Sequence, residues 1–360
     1  MEPRNLTPMV LAAGYATRLR PLTADVAKAV VPFLNRPLLD HTLEWLARAG
    51  FTRVVINLHH AGESVVRRYG LSVFGLSIDY SQEAALLGTA GGPRKAIDLL
   101  EERVLLVNGD VVGLMSIGAL VSHHKATGAL ATLALYRGSA AAGYPQVAAA
   151  ATGELLAFPG DDFAGLPADT VRGVFTGLQV IERSVLEQLP EGCAAGIVDP
   201  VYRQLLAGGH PLHAVAVPGA WYEVGDPMRY IDNQLASLRL GDVPLGVHGY
   251  QRVSPGGYKS VDSHLENVRL VPPYPAGPGV RLRHGARLRS VVLGDRTRVG
   301  AACNLDRVVT WRDSWIGPNC RLRNVVVMEG VHVPSRTEVS DAVFTVAGPV
   351  PFAAAARTVS

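Results

Sequence analysis

Residues 291–341 repeat every 17 residues, and this constrains the fold more than any other feature of the chain. Aligning VVLGDRTRVGAACNLDR (291–307), VVTWRDSWIGPNCRLRN (308–324) and VVVMEGVHVPSRTEVSD (325–341) brings aliphatic residues into three columns. Val291, Val308 and Val325 form one column; Val299, Ile316 and Val333 a second; Leu305, Leu322 and Val339 a third. One period earlier stand Leu282 and Leu288, and one period later stands Ala342. Within a repeat, Leu293, Val299 and Leu305 lie six residues apart, although Thr310 takes the first of these places in the middle repeat. An aliphatic side chain returning inward every six residues describes short flat strands stacked coil on coil, the left-handed parallel β-helix of hexapeptide type. An antiparallel sandwich is the bland alternative, and three columns at one fixed period argue against it. Cys303 and Cys320 are one period apart, so they are expected as two reduced thiols in one column with Ala286 and Thr337. The tail's arginines, among them Arg281, Arg283, Arg287, Arg289, Arg296, Arg298, Arg307, Arg312, Arg321 and Arg323, flank inward aliphatic residues. They are therefore expected on an outward basic flank, either as a solvated face or facing an anionic effector or acidic neighbour.

The first 240 residues follow a different rule. Short apolar runs at 9–13, 53–58, 76–81 and 104–110 alternate with helical patterns, such as 38–50 with Leu39, Leu43 and Leu46 on one face. A further helix is expected over GPRKAIDLL (92–100). Strand and helix in alternation with short connections mean a parallel sheet with right-handed crossovers. From 129 to 182 less helix separates the strands, which suggests a smaller, more antiparallel section. The reading is therefore α/β, a Rossmann-like domain with a mixed, mostly parallel sheet over 1–240. A Gly-, Pro- and Ser-rich linker over 241–265 follows, then the β-helix over 266–346 and a tail over 347–360.

Bulk properties narrow the function classes. A net charge of +3 in 360 residues gives no reason to expect nucleic acid as a partner. No apolar run approaches the ~18 residues of a spanning helix, and no basic region followed by an apolar core opens the chain. Three cysteines in neither disulfide nor zinc spacing complete the picture of a cytoplasmic protein with no membrane partner.

The segment PMVLAAGYATRLRPLTADVAKAVVPFLNRPLL (8–39) raises the question of a ligand. A buried strand runs into Gly14, then Arg18 and Arg20, and resumes around the isolated Lys28. Ligands of parallel sheets bind beyond the carboxyl ends of the strands. Gly14 can take a positive φ and let the backbone approach a phosphate. Arg18 offers a planar fork to phosphate oxygens, and Lys28, alone among apolar neighbours, needs an anionic partner. His59 and His60 point to opposite faces of a strand end and so do not share a metal.

This segment resembles the signature of the sugar-1-phosphate nucleotidyltransferases, also called nucleotide-sugar pyrophosphorylases. The resemblance continues in order through LGTAGG (87–92), VNGD (107–110), FTGLQV (175–180) and WYEVGDPMRY (221–230). It implies attack of a sugar phosphate oxygen on the α-phosphorus of a nucleoside triphosphate, with pyrophosphate leaving. Two anions react, so positioning and charge neutralisation do the catalysis. Carried over by position, the resemblance assigns Arg18, Lys28 and Asp110 to catalysis. It assigns Leu11, Ala12, Ala13, Gly14, Gln82, Glu83, Gly88, Thr89, Asn108 and Gly109 to the nucleotide, and Asp110 and Glu223 to Mg2+. Thr176, Gly177 and Arg172 are assigned to the sugar. The short run EAALLGTAGG resembles guanylyl- and uridylyl-transferases, so GTP or UTP with mannose or another hexose 1-phosphate is expected. Glu83 is either a partner for guanine's N1 and N2 donors or merely solvated. A homo-oligomer, through the β-helix, is also expected.

Departures from the family pattern are specific. Ala16 stands for the second loop glycine, Ala27 and Ala29 for the prolines around the lysine, and Glu223 for an aspartate. The Glu-Lys-Pro motif that holds the sugar in many relatives is missing; ELLAFPGDDFAGLPADTVRG (154–173) contains no lysine, and Arg172 is its nearest cation. These departures keep a second reading open, a non-catalytic regulatory or scaffolding paralogue that binds nucleotide sugar.

Overall fold

The computed structural model describes residues 5–138, 141–243, 245–265 and 267–355. They divide into two compact units, the first made of residues up to 15, 26–30 and 38–221, the second of 16–25, 31–37 and 222 onward. Among the described residues no helix is long and apolar enough to cross a membrane.

The first unit is built on β1 (Leu6–Leu11), α1 (Leu38–Arg48), β2 (Arg53–Leu58), α2 (Gly62–Tyr69), β3 (Leu76–Gln82), α3 (Gly88–Lys95) and β4 (Arg103–Asn108). There follow β5 (Val111–Met115), α4 (Ile117–Thr127), β6 (Ala131–Tyr136), β7 (Val171–Glu182) and β8 (Leu212–Ala216). Across the main sheet the order is β3-β2-β1-β4-β7-β6-β8, and β7 alone of these runs antiparallel. The strand order reverses between β1 and β4, the switch point beyond which ligands bind in open α/β sheets. Apolar runs without alternation are what two covered faces require. Val10, Val54, Ile56 and Leu105 fill one face, while Met9, Val55, Val104 and Leu106 fill the other. The antiparallel section expected over 129–182 is present as β6, β7 and the short strands Val147–Ala149 and Leu155–Ala157.

Three local expectations shift. β1 begins at Leu6 rather than 9, because Leu6, Thr7 and Pro8 pair with Arg103–Leu105 on the β4 side. Pro8 is tolerated because pairing with β2 starts only at Met9, so the missing N–H leaves no ladder bond unmade. The helix expected over 92–100 instead opens at Gly88 and gives way to a 3-10 turn at Ile97–Leu99. Three glycines in its first five residues carry no apolar periodicity, so sequence pattern alone misses that start.

The second unit contains the β-helix. Leu282, Val299, Ile316 and Val333 pair in series, as do Leu288, Leu305, Leu322 and Val339, and Val308, Val325 and Ala342. The 17-residue period is thus the hydrogen-bonded register itself, and Leu305, Leu322 and Val325 lie in its buried core. Cys303 and Cys320 are buried free thiols in one column. Each donates one coil onward, Cys303 Sγ to the Gly317 carbonyl and Cys320 Sγ to that of Pro334, both at 3.1 Å. Burial pushes the Cys303 thiol pKa up.

The stretch expected as a linker is structured. Tyr250–Ser254 and Gly257–Ser260 form a hairpin whose second strand pairs with Tyr274–Ala276, so the β-helix sheet begins before its first full repeat. The Pro255–Gly256 signal marks a tight turn rather than a flexible connection. At the other end, Gly348–Pro351 folds back antiparallel onto Glu338–Thr345 and closes the last coil. Residues 356–360 of the expected tail lie outside the described residues. Helix α5 (Pro227–Leu240) also belongs to this unit. Asp226 caps it by accepting from the Arg229 N–H at 2.9 Å, with Pro227 in the first turn. The buried Tyr230 hydroxyl donates to the Pro32 carbonyl and accepts from Trp311 Nε1, and Arg307 pairs with Asp232. By compactness the second unit takes in residues from Tyr222 onward, this helix included.

Candidate active site

Two clusters form, one in each unit, and both are built on positions singled out in the sequence. In the first unit the carboxyl ends of β1 and β4 lie side by side, with Leu11 in register with Asn108. The Gly109 N–H donates to the Leu11 carbonyl at 2.9 Å, and a Cβ on Gly109 would stand 2.6 Å from that oxygen. Glycine is therefore the residue that lets the two strand ends meet. Just beyond it, Asp110 Oδ2 accepts from Lys28 Nζ at 3.0 Å, with the lysine side chain 13% exposed and the aspartate 33%. The isolated lysine has found an anion within its own unit. The pair also presents a carboxylate and an ammonium together at the switch point, where a phosphate and its counterion would be met.

The loop after β1 is pinned by residues the sequence reading did not select. Asn57, at the end of β2, accepts from the Ala12 N–H at 2.7 Å and donates to Glu83 Oε1 at 2.7 Å. The second Glu83 oxygen accepts from the Leu87 N–H at 2.9 Å. Glu83 is 1% exposed, so it is neither a solvated loop residue nor an open partner for guanine; its oxygens hold the loop before α3. Gly92 completes the arrangement: a Cβ there would lie 2.6 Å from Glu83 Oε1 and 2.7 Å from Asn57 Nδ2. His59 Nδ1 bonds the Glu83 carbonyl and its Nε2 the hydroxyl of Tyr15, an exposed aromatic on the loop. Asn57 is an amide at the end of an apolar strand, and that was its only visible signal.

Gly88 and Thr89 serve the first turn of α3. A Gly88 Cβ would lie 2.6 Å from the Ala195 carbonyl, which accepts from the Ala90 N–H, while Thr89 Oγ1 accepts from the Ile197 N–H at 2.8 Å. Gln82 is exposed at the end of β3 and its carbonyl accepts from Lys95 Nζ. Gly14 does not use the positive φ open to it; among the described residues of this loop, Ala16 takes one, at φ 49° and ψ 40°. The left-handed conformation belongs to the position where relatives carry their second glycine, and an alanine sustains it here. The Ala16 carbonyl is anchored by the Thr23 hydroxyl at 2.9 Å. Gly14 and Ala13 lie ahead of it, and a Cβ on Gly14 would meet nothing within 4 Å.

The departures around Lys28 have a structural reading. The Ala27 N–H donates to Ser64 Oγ at 3.1 Å, a bond that the family's proline has no hydrogen to make. Of the sugar-assigned residues, Gly177 (φ 78°) abuts the Asn108 amide, so these two are brought together. The Thr176 hydroxyl is used internally: it donates to the Ala134 carbonyl and accepts from the Leu178 N–H. Arg172 lies four residues back along β7, ~13 Å by strand rise, with its guanidinium 5.1 Å from the Phe163 ring centre. Tyr136, Tyr144 and Trp221 cluster nearby, with Trp221 Nε1 donating to the Thr176 carbonyl, another group the sequence reading missed.

In the second unit Glu223 stands between two guanidinium groups, with Arg18 Nη2 at 3.5 Å and Arg229 Nη1 at 3.3 Å. Its backbone carbonyl accepts from Asn233 Nδ2. Arg18 is 64% exposed and free to turn toward an anion. Among the described residues no three His, Cys, Asp or Glu side chains are grouped to hold a metal. A hard cation that keeps several waters and takes its remaining oxygens from phosphate suits such sparse carboxylates.

Comparison with known proteins gives the family. Residues 7–239 match the family model described as nucleotidyl transferase, and residues 278–342 match one described as GlmU-like, C-terminal hexapeptide. The chain belongs to the nucleotidyl transferase family. It is 29% identical to mannose-1-phosphate guanylyltransferase of Mycobacterium tuberculosis over 314 residues, 85% of each chain. It is 24% identical to UTP–glucose-1-phosphate uridylyltransferase of Synechocystis sp. over 337 residues, 89% of this chain and 86% of the relative. A probable mannose-1-phosphate guanylyltransferase 3 of Oryza sativa subsp. japonica is 28% identical over 342 residues, 90% of this chain and 91% of the relative.

Proposed function

We propose that this chain transfers a nucleotidyl group from a nucleoside triphosphate to a sugar 1-phosphate, releasing pyrophosphate and forming a nucleoside-diphosphate sugar. The observation that carries the reading is the Lys28–Asp110 pair beside the Gly109–Leu11 junction at the switch point of the sheet. In the reaction a phosphate oxygen of the sugar bonds to the α-phosphorus as the bond from that phosphorus to the pyrophosphate oxygen breaks. Lys28 and Arg18 neutralise phosphate charge that increases on the departing group, and Arg18 does so with a planar fork. Main-chain groups of residues 11–14 hold the nucleotide against the loop that Asn57 and Glu83 fix, so the bound geometry is set before substrate arrives. Asp110 and Glu223 are the carboxylates that the family resemblance assigns to a magnesium ion, which would supply further neutralisation of the triphosphate when bound. Ala12, Ala13 and Gly14 with the 82–89 segment read the base, and the relatives favour GTP or UTP with a mannose or other hexose 1-phosphate. The occupied oxygens of Glu83 move base recognition onto main-chain groups. We further infer that the β-helix assembles copies of the chain and that the enzyme works in the cytoplasm.

A pyrophosphate-release assay over a grid of triphosphates and sugar 1-phosphates with magnesium tests the reading. Turnover with GTP or UTP is expected, and Asp110→Asn should lower it at least ~100-fold in a protein that still folds, its melting temperature reduced by loss of the Lys28 ion pair. No turnover on any pair, with nucleotide-sugar binding retained, would replace the enzyme by the regulatory paralogue.

A further inference from the structure

The β-helix neutralises many of its outward arginines by one rule: the partner stands on the next coil, 17 residues later. Arg289 grips Asp306 through Nε at 3.0 Å and Nη2 at 2.5 Å, and Arg296 grips Asp313 with both bonds at 2.7 Å. Arg312 pairs with Glu329, and Arg307 Nε donates to Asn324, which in turn donates to Asp341. Arg281 and Arg298, which oppose each other, depart from this rule, and so does a second face. Arg269, Arg287, Arg321 and Arg323 are exposed there, and among the described residues none of their guanidinium groups makes a hydrogen bond or ion pair. The register explains why. Arg269 faces Arg287, Arg287 faces Asn304, and Arg323 faces Ser340, while Arg321 faces Glu338 without closing an ion pair. Like charges opposite one another at a strand spacing of ~4.8 Å repel. With Arg289 included, five guanidinium groups and two carboxylates, Asp306 and Glu338, line one groove of about 620 Å³.

We propose that this groove binds a small metabolite carrying two or more phosphoryl groups. Guanidinium forks match phosphate oxygens two at a time, and each phosphate held between facing arginines removes a repulsion that the free protein retains. The groove's volume is that of a small-molecule site. Arg287 and Arg321 stand two coils apart, ~10 Å at the strand spacing, so phosphoryl groups in one ligand reach both. The site lies wholly on the β-helix, in residues that the catalytic reading does not use.

Calorimetric titration of the full chain with inorganic tripolyphosphate tests this, carried out in a Lys28→Ala background so that the catalytic phosphate site is weakened. Binding should persist in Lys28→Ala, weaken at least tenfold when Arg287→Ser and Arg321→Ser are added, and fall with ionic strength. Asn304→Asp is the second variant, since it installs the next-coil acid opposite Arg287. It should keep or raise the melting temperature while weakening tripolyphosphate several-fold. No binding in the Lys28→Ala protein, or binding indifferent to both groove variants, would overturn the proposal. So would a change in oligomeric size on Arg287→Ser/Arg321→Ser with tripolyphosphate affinity intact, which would make the face a contact between copies. Absence of pyrophosphate release in the wild type, with groove binding retained, would sink the catalytic reading and leave this one standing.

Discussion

In the β-helix a side chain's partner is found by counting 17 residues; in the α/β unit it is not found by counting at all. Arg289–Asp306, Arg296–Asp313 and Arg312–Glu329 are each separated by 17 residues. The bonds that shape the candidate site join residues 45 apart (Ala12 and Asn57), 26 apart (Asn57 and Glu83) and 82 apart (Lys28 and Asp110). A repeat contacts only its neighbours, so its energetics is local and periodic. The α/β unit buries a polar network whose members come from separate crossovers, and such a network is stable only when every member is satisfied. The first region is robust in design and sensitive to any break in a column. The second is sensitive at single atoms.

The largest expected effect tests the column. Leu322 is 2% exposed between Leu305 and Val339, and Leu322→Asp buries an unpaired carboxylate there. A loss of ~4 kcal/mol or more is expected, seen in urea melts as disappearance of the second unit's transition with the first unit's retained. A single transition of normal midpoint would show the column to be plastic.

Next in size is the glycine that the site's network requires. Gly92→Ala places a Cβ 2.6 Å from Glu83 Oε1 and 2.7 Å from Asn57 Nδ2, and should destabilise by ~2–3 kcal/mol with loss of turnover. Gly14→Ala is the control in the same loop system, because its Cβ meets no protein atom within 4 Å. Its melting temperature should match wild type, so any fall in kcat/KM would report close approach of nucleotide. Equal thermal effects in the two variants would erase the distinction.

A buried histidine sharpens the comparison through pH. His124 bonds the Thr132 hydroxyl through Nδ1 and Glu182 through Nε2, and desolvation lowers its pKa despite the opposing pull of Glu182. The unfolded chain therefore takes up this proton first as pH falls. Stability should be full above the ordinary imidazole value of ~6.5 and should decline below it. Melting temperatures from pH 7.5 to 5 check this, and the decline should shrink in His124→Gln. The second unit's core, rich in aliphatic columns, should show a weaker response over that range.

The smallest effects concern the two alanine departures. Ala27→Pro removes the N–H that reaches Ser64 Oγ and should cost ~1 kcal/mol. Ala16→Gly relieves a left-handed alanine but loosens the unfolded chain, so the net change should stay within ~1 kcal/mol. Paired denaturant melts distinguish the signs, and a large gain from Ala27→Pro would show the Ser64 bond to be idle.

Much of the fold was legible because periodicity is a local property. The aliphatic columns, the alternation of strand and helix, and the placement of Asp110 at a strand end all follow from residue type and spacing. The start of α3 was hidden in glycines, and the hairpin at 250–260 looked like linker because turn residues outnumber strand residues there. The site was legible as a set of residues but not as a division of labour. Glu83, Thr176 and Arg172 carry suitable chemistry, yet the oxygens of Glu83 hold the loop before α3, the hydroxyl of Thr176 is bonded within its own strand pair, and Arg172 lies over Phe163.

Sequence alone therefore determined the register of the β-helix, since each coil meets only the next and one period sets every partner. It also pointed to an anionic ligand through a strand running into glycine, arginine and an isolated lysine, while the class of chemistry came from the resemblance of its motifs to a known family. Tertiary structure decided which polar atoms stay available. Asn57 entered through a crossover that no spacing announces, and it is the group that ties Ala12 to Glu83. It decided that Ala16 rather than Gly14 takes the left-handed turn, and that three arginines of the β-helix face lack the next-coil acid that neutralises their neighbours while Arg321 leaves its own, Glu338, unpaired. The physical reason is the same in each case. Whether a polar group is satisfied depends on what folds against it, and in a packed α/β unit that neighbour comes from anywhere along the chain.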